Sequence, residues 1–293
     1  MKVSSSLRVN NAWLRRQTTD HYVRLRQSSS EQYRARSAYK LIELDCGFLT
    51  KPSVKAIVDL GGAPGGWSQV IARKFGWLDS ESAPPLADAQ PTKNWRGKSV
   101  PARKQVDFGT WSSPLNDNDP VGSSTASQKA RKGTVVAVDL LDIAPIPGVY
   151  TLKADFLDPQ TAPLVHALLC SKDNPEGKAD IILSDMAANL TGNDIRDSQS
   201  SLEICESVYQ FAQKHLRTAE EIGHSKGGVL VMKHFMHPLL TKFRQTVLEP
   251  RFNLVHFAKP KASRSESSEG YLVCQGWKRS PGARWSTVPG LPP

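Results

Sequence analysis

A glycine-rich turn between an apolar run and a helical pattern constrains this chain more than any other feature. Residues 56–60 form a short apolar run that contains one Asp, residues 61–66 are rich in Gly and Pro, and residues 67–75 have helical spacing. Glycines directly after a strand let the backbone approach a ligand, and the following helix N-terminus carries positive potential. The turn is not a P-loop, since no Gly-Lys-Ser/Thr follows, and it lacks strict GxGxxG spacing. It predicts strand, binding loop and helix, with an ordinary tight turn as the alternative.

Apolar runs and helical patterns alternate along most of the remaining chain. Strands that alternate with helices are typical of an α/β fold with a mostly parallel sheet, and we predict that fold class. The further strands are predicted at 134–141, 148–156, 179–187, 227–235, 253–258 and 270–277, and the further helices at 31–46, 163–170, 198–217 and 237–248.

One long segment interrupts this pattern. Residues 78–132 contain six Pro and many Ser, Asp and Asn without sustained periodicity, so we predict a disordered insertion, with a small subdomain as the alternative. The remaining length suits a single domain over 11–278. We expect a disordered tail at 279–293. Residues 1–10 are basic and lack acids, which fits the remnant of a mitochondrial targeting segment.

Positive charge is concentrated at the two ends of the chain. The formal net charge is +10, to which residues 1–40 contribute +7 and residues 251–293 contribute +5. Such a surplus favours polyanionic partners such as nucleic acid. We predict that six arginines contact phosphates in a salt-dependent way, the alternative being a solvated basic helix or a targeting segment. They are Arg15, Arg16, Arg24, Arg26, Arg34 and Arg36.

Several protein classes are excluded by what the sequence lacks. No apolar run approaches 18 residues, which argues against a transmembrane helix. Four scattered Cys without a CxxC pair argue against a disulfide framework and a cysteine zinc site, and suit a reducing compartment. The HFMH segment (234–237) precedes a Pro and has no further ligands nearby in sequence, so we expect no metal site.

Acidic residues end several of the predicted strands. Asp139 follows Gly61 by 78 residues, and by 23 once the 55-residue insertion is set aside. An acid about 20 residues after a glycine loop is placed to accept hydrogen bonds from ribose hydroxyls. An ordinary surface Asp is the alternative. Since the carboxyl ends of parallel strands line one crevice, we expect four acids at a common site: Asp59, Asp139, Asp155 and Asp185.

Two lysines occupy unusual positions. Lys233 ends an apolar strand, and Lys40 lies in a helix before the first strand. A partly buried Lys loses proton affinity through desolvation but keeps it beside carboxylates. A Lys held between an Asp and a substrate hydroxyl is a plausible general base. Taken singly, each lysine could equally be a solvated surface residue.

Seven segments together indicate a family. They are SAYKL (37–41), VDLGGAPGGWSQV (58–70), VDLLDIAPIPGV (138–149), ADF (154–156), LSDMAAN (183–189), VMKHF (231–235) and KPKASRSESSEGYLV (259–273). In this order the chain resembles the FtsJ-type RNA ribose 2′-O-methyltransferases over residues 11–77 and 133–278.

The resemblance implies a Rossmann-like fold with helices on both faces of the sheet and S-adenosylmethionine as cofactor, with no metal required. It implies a catalytic tetrad of Lys40, Asp185, Lys233 and Glu269. The cofactor-binding residues that it implies are Gly65, Trp67, Asp139, Asp155 and Asp185. One departure is Ala188, where the family usually has Pro; it should loosen the loop modestly without removing chemistry.

The resemblance also suggests a substrate. Residues 11–27 are similar to the start of bacterial and mitochondrial large-subunit ribosomal RNA enzymes, so we expect methylation of a uridine ribose in the peptidyl-transferase region of mitochondrial ribosomal RNA, with Lys233 as general base. The expected partner is ribosomal RNA or a large-subunit precursor. We expect a monomer in the mitochondrial matrix, with cytoplasm or nucleus as alternatives. The alternative functions are a transfer-RNA or mRNA-cap methyltransferase, an NAD-dependent dehydrogenase and a non-catalytic ribosome-assembly factor.

Overall fold

A computed structural model describes residues 20–28, 32–78, 132–188, 191–264 and 267–279. Residues 1–10, nearly all of the predicted insertion and all but the first residue of the predicted tail lie outside these ranges. In chain order the elements are α1 (His21–Ser28), α2 (Ser37–Leu44), β1 (Ala56–Leu60), α3 (Gly66–Lys74), β2 (Thr134–Asp139), β3 (Val149–Lys153), α4 (Thr161–Leu169), β4 (Ile181–Ser184), α5 (Asp194–His215), α6 (Ala219–Ile222), β5 (Val229–Phe235), α7 (Pro238–Phe243), β6 (Phe252–Ala258) and β7 (Glu269–Trp277).

The strands form one seven-stranded sheet in the order β3-β2-β1-β4-β5-β7-β6. The first five strands in this order are parallel, and β7 is antiparallel to both β5 and β6. From β1 the chain first adds β2 and β3 on one side of the sheet, and it then returns to add β4 and the remaining strands on the other side. The order of the strands therefore reverses between β1 and β4. Such a switch point opens a crevice beyond the carboxyl ends of the strands, where ligands of α/β proteins bind.

Alternate residues of each strand enter two separate cores. Ile57 packs with α2 and α3 in one cluster, whereas Val58 packs with α4 and α5 in the other. This alternation follows from the twofold side-chain period of a strand. Helices therefore cover both faces of the sheet, which confirms the predicted fold class.

Two predicted helices differ from those observed. The helix predicted over 31–46 begins only at Ser37, because the Arg34 amide donates to the Gln69 side chain (2.7 Å) instead of to a helical carbonyl. The helix predicted over 237–248 ends at Phe243 and continues as a π-helical turn, Arg244–Leu248. Tertiary contacts and local backbone geometry thus override the apolar spacing of these segments. No helix among the described residues is long and apolar enough to cross a membrane.

Candidate active site

Two lysines and two carboxylates meet where β4, β5 and β7 adjoin α2. The Lys40 ammonium lies 2.7 Å from Glu269 Oε1 and 4.0 Å from Asp185 Oδ1. The Lys233 ammonium lies 3.1 Å from Glu269 Oε2 and 3.4 Å from Asp185 Oδ1. The four residues that the family resemblance implied as a tetrad, which come from distant parts of the chain, thus form one closed cluster in which each cation touches both anions.

Sheet register explains the approach of the two strand residues. Lys233 pairs with Tyr271, and Glu269 pairs with Phe235, in the antiparallel β5–β7 ladder. Side chains two apart on a strand point to the same face, so Glu269 and Tyr271 both face Lys233. The positions of Asp185 and Lys40 are set differently. Asp185 directly follows β4 in a loop, and Lys40 is packed on α2 with only 8% of its surface exposed.

Two residues beside this cluster were not singled out from the sequence. The Tyr271 hydroxyl donates to Asp185 Oδ1 (2.6 Å), and the Ser263 hydroxyl donates to Glu269 Oε1 (2.7 Å). Each hydroxyl therefore holds one carboxylate in place for the lysines. Tyr271 could have been found from the sequence, because it lies two residues after Glu269 in segment 259–273 and so faces the same side of the strand. Nothing in the sequence indicated a role for Ser263.

The electrostatics of the cluster favour the charged forms of Glu269 and Lys233. Burial alone would raise the pKa of Glu269, but hydrogen bonding from Lys40 and the charges of both lysines hold it at about 2. Burial likewise opposes the charge on Lys233, yet Asp185 and Glu269 raise its pKa above the usual value. The pKa of Tyr271 is raised, first by burial and then by Asp185 and Glu269. Without ligands, Lys233 is therefore an ammonium ion.

The glycine-rich turn joins β1 to α3 as predicted. Gly61 and Gly65 have φ angles of +73° and +107°, a region that disfavours other residues, and a Cβ on Gly61 would lie 2.2 Å from Met186 Cγ. The side chain of Trp67 points into the core, where its indole N–H donates to the Ser37 carbonyl (2.8 Å). Any cofactor contact of Trp67 therefore uses its backbone at the helix N-terminus, while its ring ties α3 to α2.

Asp139 and Asp155 lie at the carboxyl ends of β2 and β3. The Asp139 carboxylate accepts from the amides of Ala63 (2.9 Å) and Leu141 (2.8 Å), so it holds the glycine turn against β2. Asp155 is exposed and accepts from the Leu157 amide (2.9 Å). Each carboxylate oxygen can accept further hydrogen bonds, as ribose and adenine donors require.

Asp59 departs from the predicted arrangement of acids in the crevice. Its carboxylate is 1% exposed and lies beneath the turn, where it accepts from the Ser68 hydroxyl (2.7 Å). Burial, with smaller contributions from Asp185 and Asp139 and despite the Ser68 hydrogen bond, raises its pKa to about 7. Asp59 therefore supports the turn from inside instead of facing a ligand.

This buried acid leads to a prediction about stability and pH. Because the folded-state pKa of Asp59 is raised, its contribution to stability is complete below its unfolded pKa near 4 and is lost as pH rises through 7. The unfolding free energy of the wild type, relative to Asp59→Asn, should fall by about 1 kcal/mol per pH unit over this range and level off above it. Urea unfolding at pH 5–8 measures this, with the exposed Asp142→Asn as control. A flat difference would contradict the assignment.

Among the predicted phosphate-binding arginines, Arg26, Arg34 and Arg36 contact identified partners within the protein. Arg26 donates to the Arg34 carbonyl (2.7 Å), Arg34 donates to the Pro145 carbonyl (2.6 Å), and Arg36 pairs with Asp20 (2.5 Å). They fasten the N-terminal segment to the domain, and their contact with phosphate stays a prediction. Arg15 and Arg16 lie outside the described residues.

The sheet order, the glycine turn at the switch point and the acids beside it define a Rossmann-like domain suited to a nucleoside cofactor. The FtsJ-like methyltransferase family model matches residues 33–87 and 121–277. The chain belongs to this family and is a methyltransferase. The match to the family model leaves out residues 88–120, which lie within the predicted insertion.

Curated relatives and a solved structure agree with this assignment. Two relatives are named ribosomal RNA large subunit methyltransferase E. The one from Rhodopseudomonas palustris (strain TIE-1) is 33% identical over 95% of this chain and 86% of its own length, and the one from Methylibium petroleiphilum is 35% identical over 95% and 99%. A structure described as a ribosomal RNA methyltransferase of Plasmodium falciparum matches with a TM-score of 0.54 and 26% identity, covering 84% of this chain and 98% of that one.

Proposed function

We propose that this protein transfers a methyl group from S-adenosylmethionine to the ribose 2′-hydroxyl of a uridine in large-subunit ribosomal RNA. The observation that carries the proposal is the closed cluster of Lys40, Asp185, Lys233 and Glu269, which a simple binding protein would not need. The names of the bacterial relatives support ribosomal RNA as the substrate.

The crevice has a donor and acceptor set that suits this cofactor. Asp139 would accept from the ribose hydroxyls, Asp155 would lie beside the adenine, and the backbone at Gly65 and Trp67 would line the remaining part. Asp185 borders both this crevice and the tetrad. When bound, S-adenosylmethionine supplies an electrophilic methyl group on a positively charged sulfur.

Within the tetrad the residues have different tasks. Asp185 and Glu269 hold the two lysines at fixed positions, while Lys40 and Lys233 form the positive surface on which a ribose oxygen can develop negative charge. Lys233 accepts the proton of the 2′-hydroxyl as the oxygen gains the methyl group. Formation of the O–C bond would be matched by cleavage of the S–CH3 bond of the donor, which would leave as a neutral thioether, and with the proton on Lys233 the product ether would also be neutral.

The raised pKa of Lys233 must be overcome before it can act as a base. A second positive charge near a lysine lowers its pKa, because it destabilises the ammonium form. Lys233 would therefore lose its own proton to solvent more readily with the cationic donor bound beside the tetrad. Because the pKa of Lys233 falls only with the donor bound, methyl transfer is favoured only when both cofactor and RNA occupy the site.

Asp139 provides a direct test of cofactor binding. Asp139→Ala removes the ribose acceptor and the contacts to the Ala63 and Leu141 amides, so the Kd for S-adenosylmethionine should rise at least about tenfold. Isothermal titration calorimetry measures the change. Asp142→Ala, nearby and exposed, is the matched control and should bind as the wild type does. Unchanged binding by Asp139→Ala would remove Asp139 from the cofactor site.

The substrate is tested by mapping 2′-O-methyl groups in ribosomal and transfer RNA after deletion of the gene. Loss of a single uridine methylation in large-subunit ribosomal RNA, restored by wild type but not by Lys233→Ala, supports the proposal. Loss in transfer RNA or an mRNA cap instead identifies the alternative substrates, and rescue of ribosome assembly by Lys233→Ala favours a non-catalytic factor. The basic, acid-free residues 1–10 favour the mitochondrial matrix, which imaging of the tagged full chain tests.

A further inference from the structure

A cavity of about 680 Å³ lies on the face of the sheet opposite the tetrad. Successive strand residues point to opposite faces, so Lys233 enters the tetrad whereas the next residue, His234, lines this cavity. Leu240 of α7 and Phe257 of β6 form further parts of the wall. The proposed transfer reaction uses none of these lining residues.

His234, which lines the cavity, carries a buried acceptor without a hydrogen-bond partner among the described residues. Its side chain is 7% exposed, and Nδ1 lies 2.9 Å from the Phe235 carbonyl. A carbonyl oxygen can only accept, so Nδ1 carries the proton. Burial, with help from Arg244, lowers the pKa of His234, so the ring is neutral and Nε2 is an acceptor. Among the described residues Nε2 has no hydrogen-bond partner, which is uncommon for a buried polar atom.

The surroundings of this acceptor suit a planar, anionic ligand. The Phe257 ring lies edge-on to His234 at 5.1 Å, and Leu240 adds apolar wall. Lys242 and Arg244 place two cations at the rim, although Glu249 pairs with Arg244. Aromatic and apolar walls with a basic rim are typical of sites that bind single-stranded nucleic acid.

We infer that this cavity is a subsite for the base of an unpaired ribonucleotide that neighbours the methylated one. A base N–H would donate to His234 Nε2, and the phosphate would lie near Lys242. The inference rests on the proposed function: Lys233 and His234 are consecutive residues near the end of β5, so an RNA strand that leaves the tetrad and bends around the end of β5 would reach the cavity on the other face of the sheet. Nε2 is closed to solvent without a ligand, so the wall must open. Met236, an unbranched side chain that is 63% exposed, is suited to such movement.

Methionine methyl NMR of the full chain gives a local readout. The chain has four methionines, of which Met236 lines the cavity, Met186 contacts the glycine turn and Met232 is buried in the core. The four ribonucleoside 5′-monophosphates are titrated separately, with inorganic phosphate as a probe for the anion alone. We expect at least one nucleotide to shift the Met236 signal at millimolar concentration, while phosphate leaves it unchanged.

Two variants test which groups recognise the nucleotide. His234→Phe keeps a ring but removes the acceptor, so affinity should fall about tenfold. The same loss is expected when the wild type binds an analogue of the best nucleotide that lacks base N–H donors. Lys242→Gln should weaken nucleotide binding but not nucleoside binding, and the exposed Lys214→Gln serves as its control. An unchanged Met186 signal establishes that each variant is folded, whereas Met232, two residues before His234 on the same face of β5, is expected to respond to His234→Phe.

Several results would overturn the subsite. These are no Met236 response to any nucleotide, an equal response to phosphate, no effect of His234→Phe, or a Met236 shift that depends on protein concentration alone, which would indicate self-association. The proposed function is judged separately by methyl transfer. If RNA is methylated but Met236 does not respond, only the subsite is wrong. If nucleotides bind but no RNA is methylated, the proposed function is wrong, and the cavity is a nucleotide-binding site without the proposed role beside a methylated residue.

Discussion

Replacing Lys233 with alanine is expected to lower methyl transfer to RNA at least about a thousandfold, because the variant lacks the amine that we propose accepts the 2′-hydroxyl proton. The affinity for S-adenosylmethionine should stay within about threefold of wild type, since cofactor contacts are assigned to other residues. Single-turnover transfer with saturating cofactor measures the first effect, and calorimetry measures the second. Substantial residual activity would rule out Lys233 as the base.

Lys233→Arg separates proton transfer from ion pairing. Arginine keeps the positive charge between Asp185 and Glu269, but its pKa is too high for it to serve as a base. The variant should therefore resemble wild type in thermal stability and Lys233→Ala in activity. Lys214→Ala, an exposed lysine on α5, should match wild type in both measurements. An active arginine variant would mean that charge alone is required.

Glu269→Gln should have the next largest effect, this time on stability. Glu269 contacts both lysines, and its removal leaves two partly buried ammonium groups with one carboxylate. The pKa of about 2 corresponds, after allowing for solvent screening, to about 2 kcal/mol of unfolding free energy. Transfer should also fall, since Lys40 and Lys233 lose their fixed spacing. Urea unfolding and single-turnover assays test the two effects.

The pH dependence of this effect has a definite sign. Because the folded-state pKa of Glu269 is depressed, its stabilisation is complete above its unfolded pKa near 4.5 and is lost as pH falls toward 2. The difference between wild type and Glu269→Gln should be constant from pH 6 to 8 and shrink below about pH 4.5. The control is Glu203→Gln, an exposed substitution on α5. A difference that grows in acid would mean that Glu269 is not held ionised by the lysines.

Local pattern was enough to predict most of the fold. Every strand predicted from an apolar run is present. The runs of β1, β2 and β4 are apolar because these parallel strands are buried on both faces. The acids Asp139 and Asp155 could also be placed, since polar groups that end parallel strands share one edge of the sheet. The helix predicted over 31–46 was too long. The Arg34 amide donates its hydrogen bond to the Gln69 side chain of α3, which lies 35 residues away in the sequence, so this amide is not available to a helix.

Residue type, motif order and apolar periodicity in the sequence therefore determined the fold class and the family, and motif order picked out four residues that the structure brings into one cluster. The tertiary structure decided what each group contacts. It buried Asp59 beneath the turn, turned the Trp67 ring toward α2, gave Arg34 and Arg36 partners within the protein, and brought Tyr271 and Ser263 to the carboxylates. The physical reason is that hydrogen bonds and desolvation depend on distances across the sheet, which the spacing of residues along the chain does not contain.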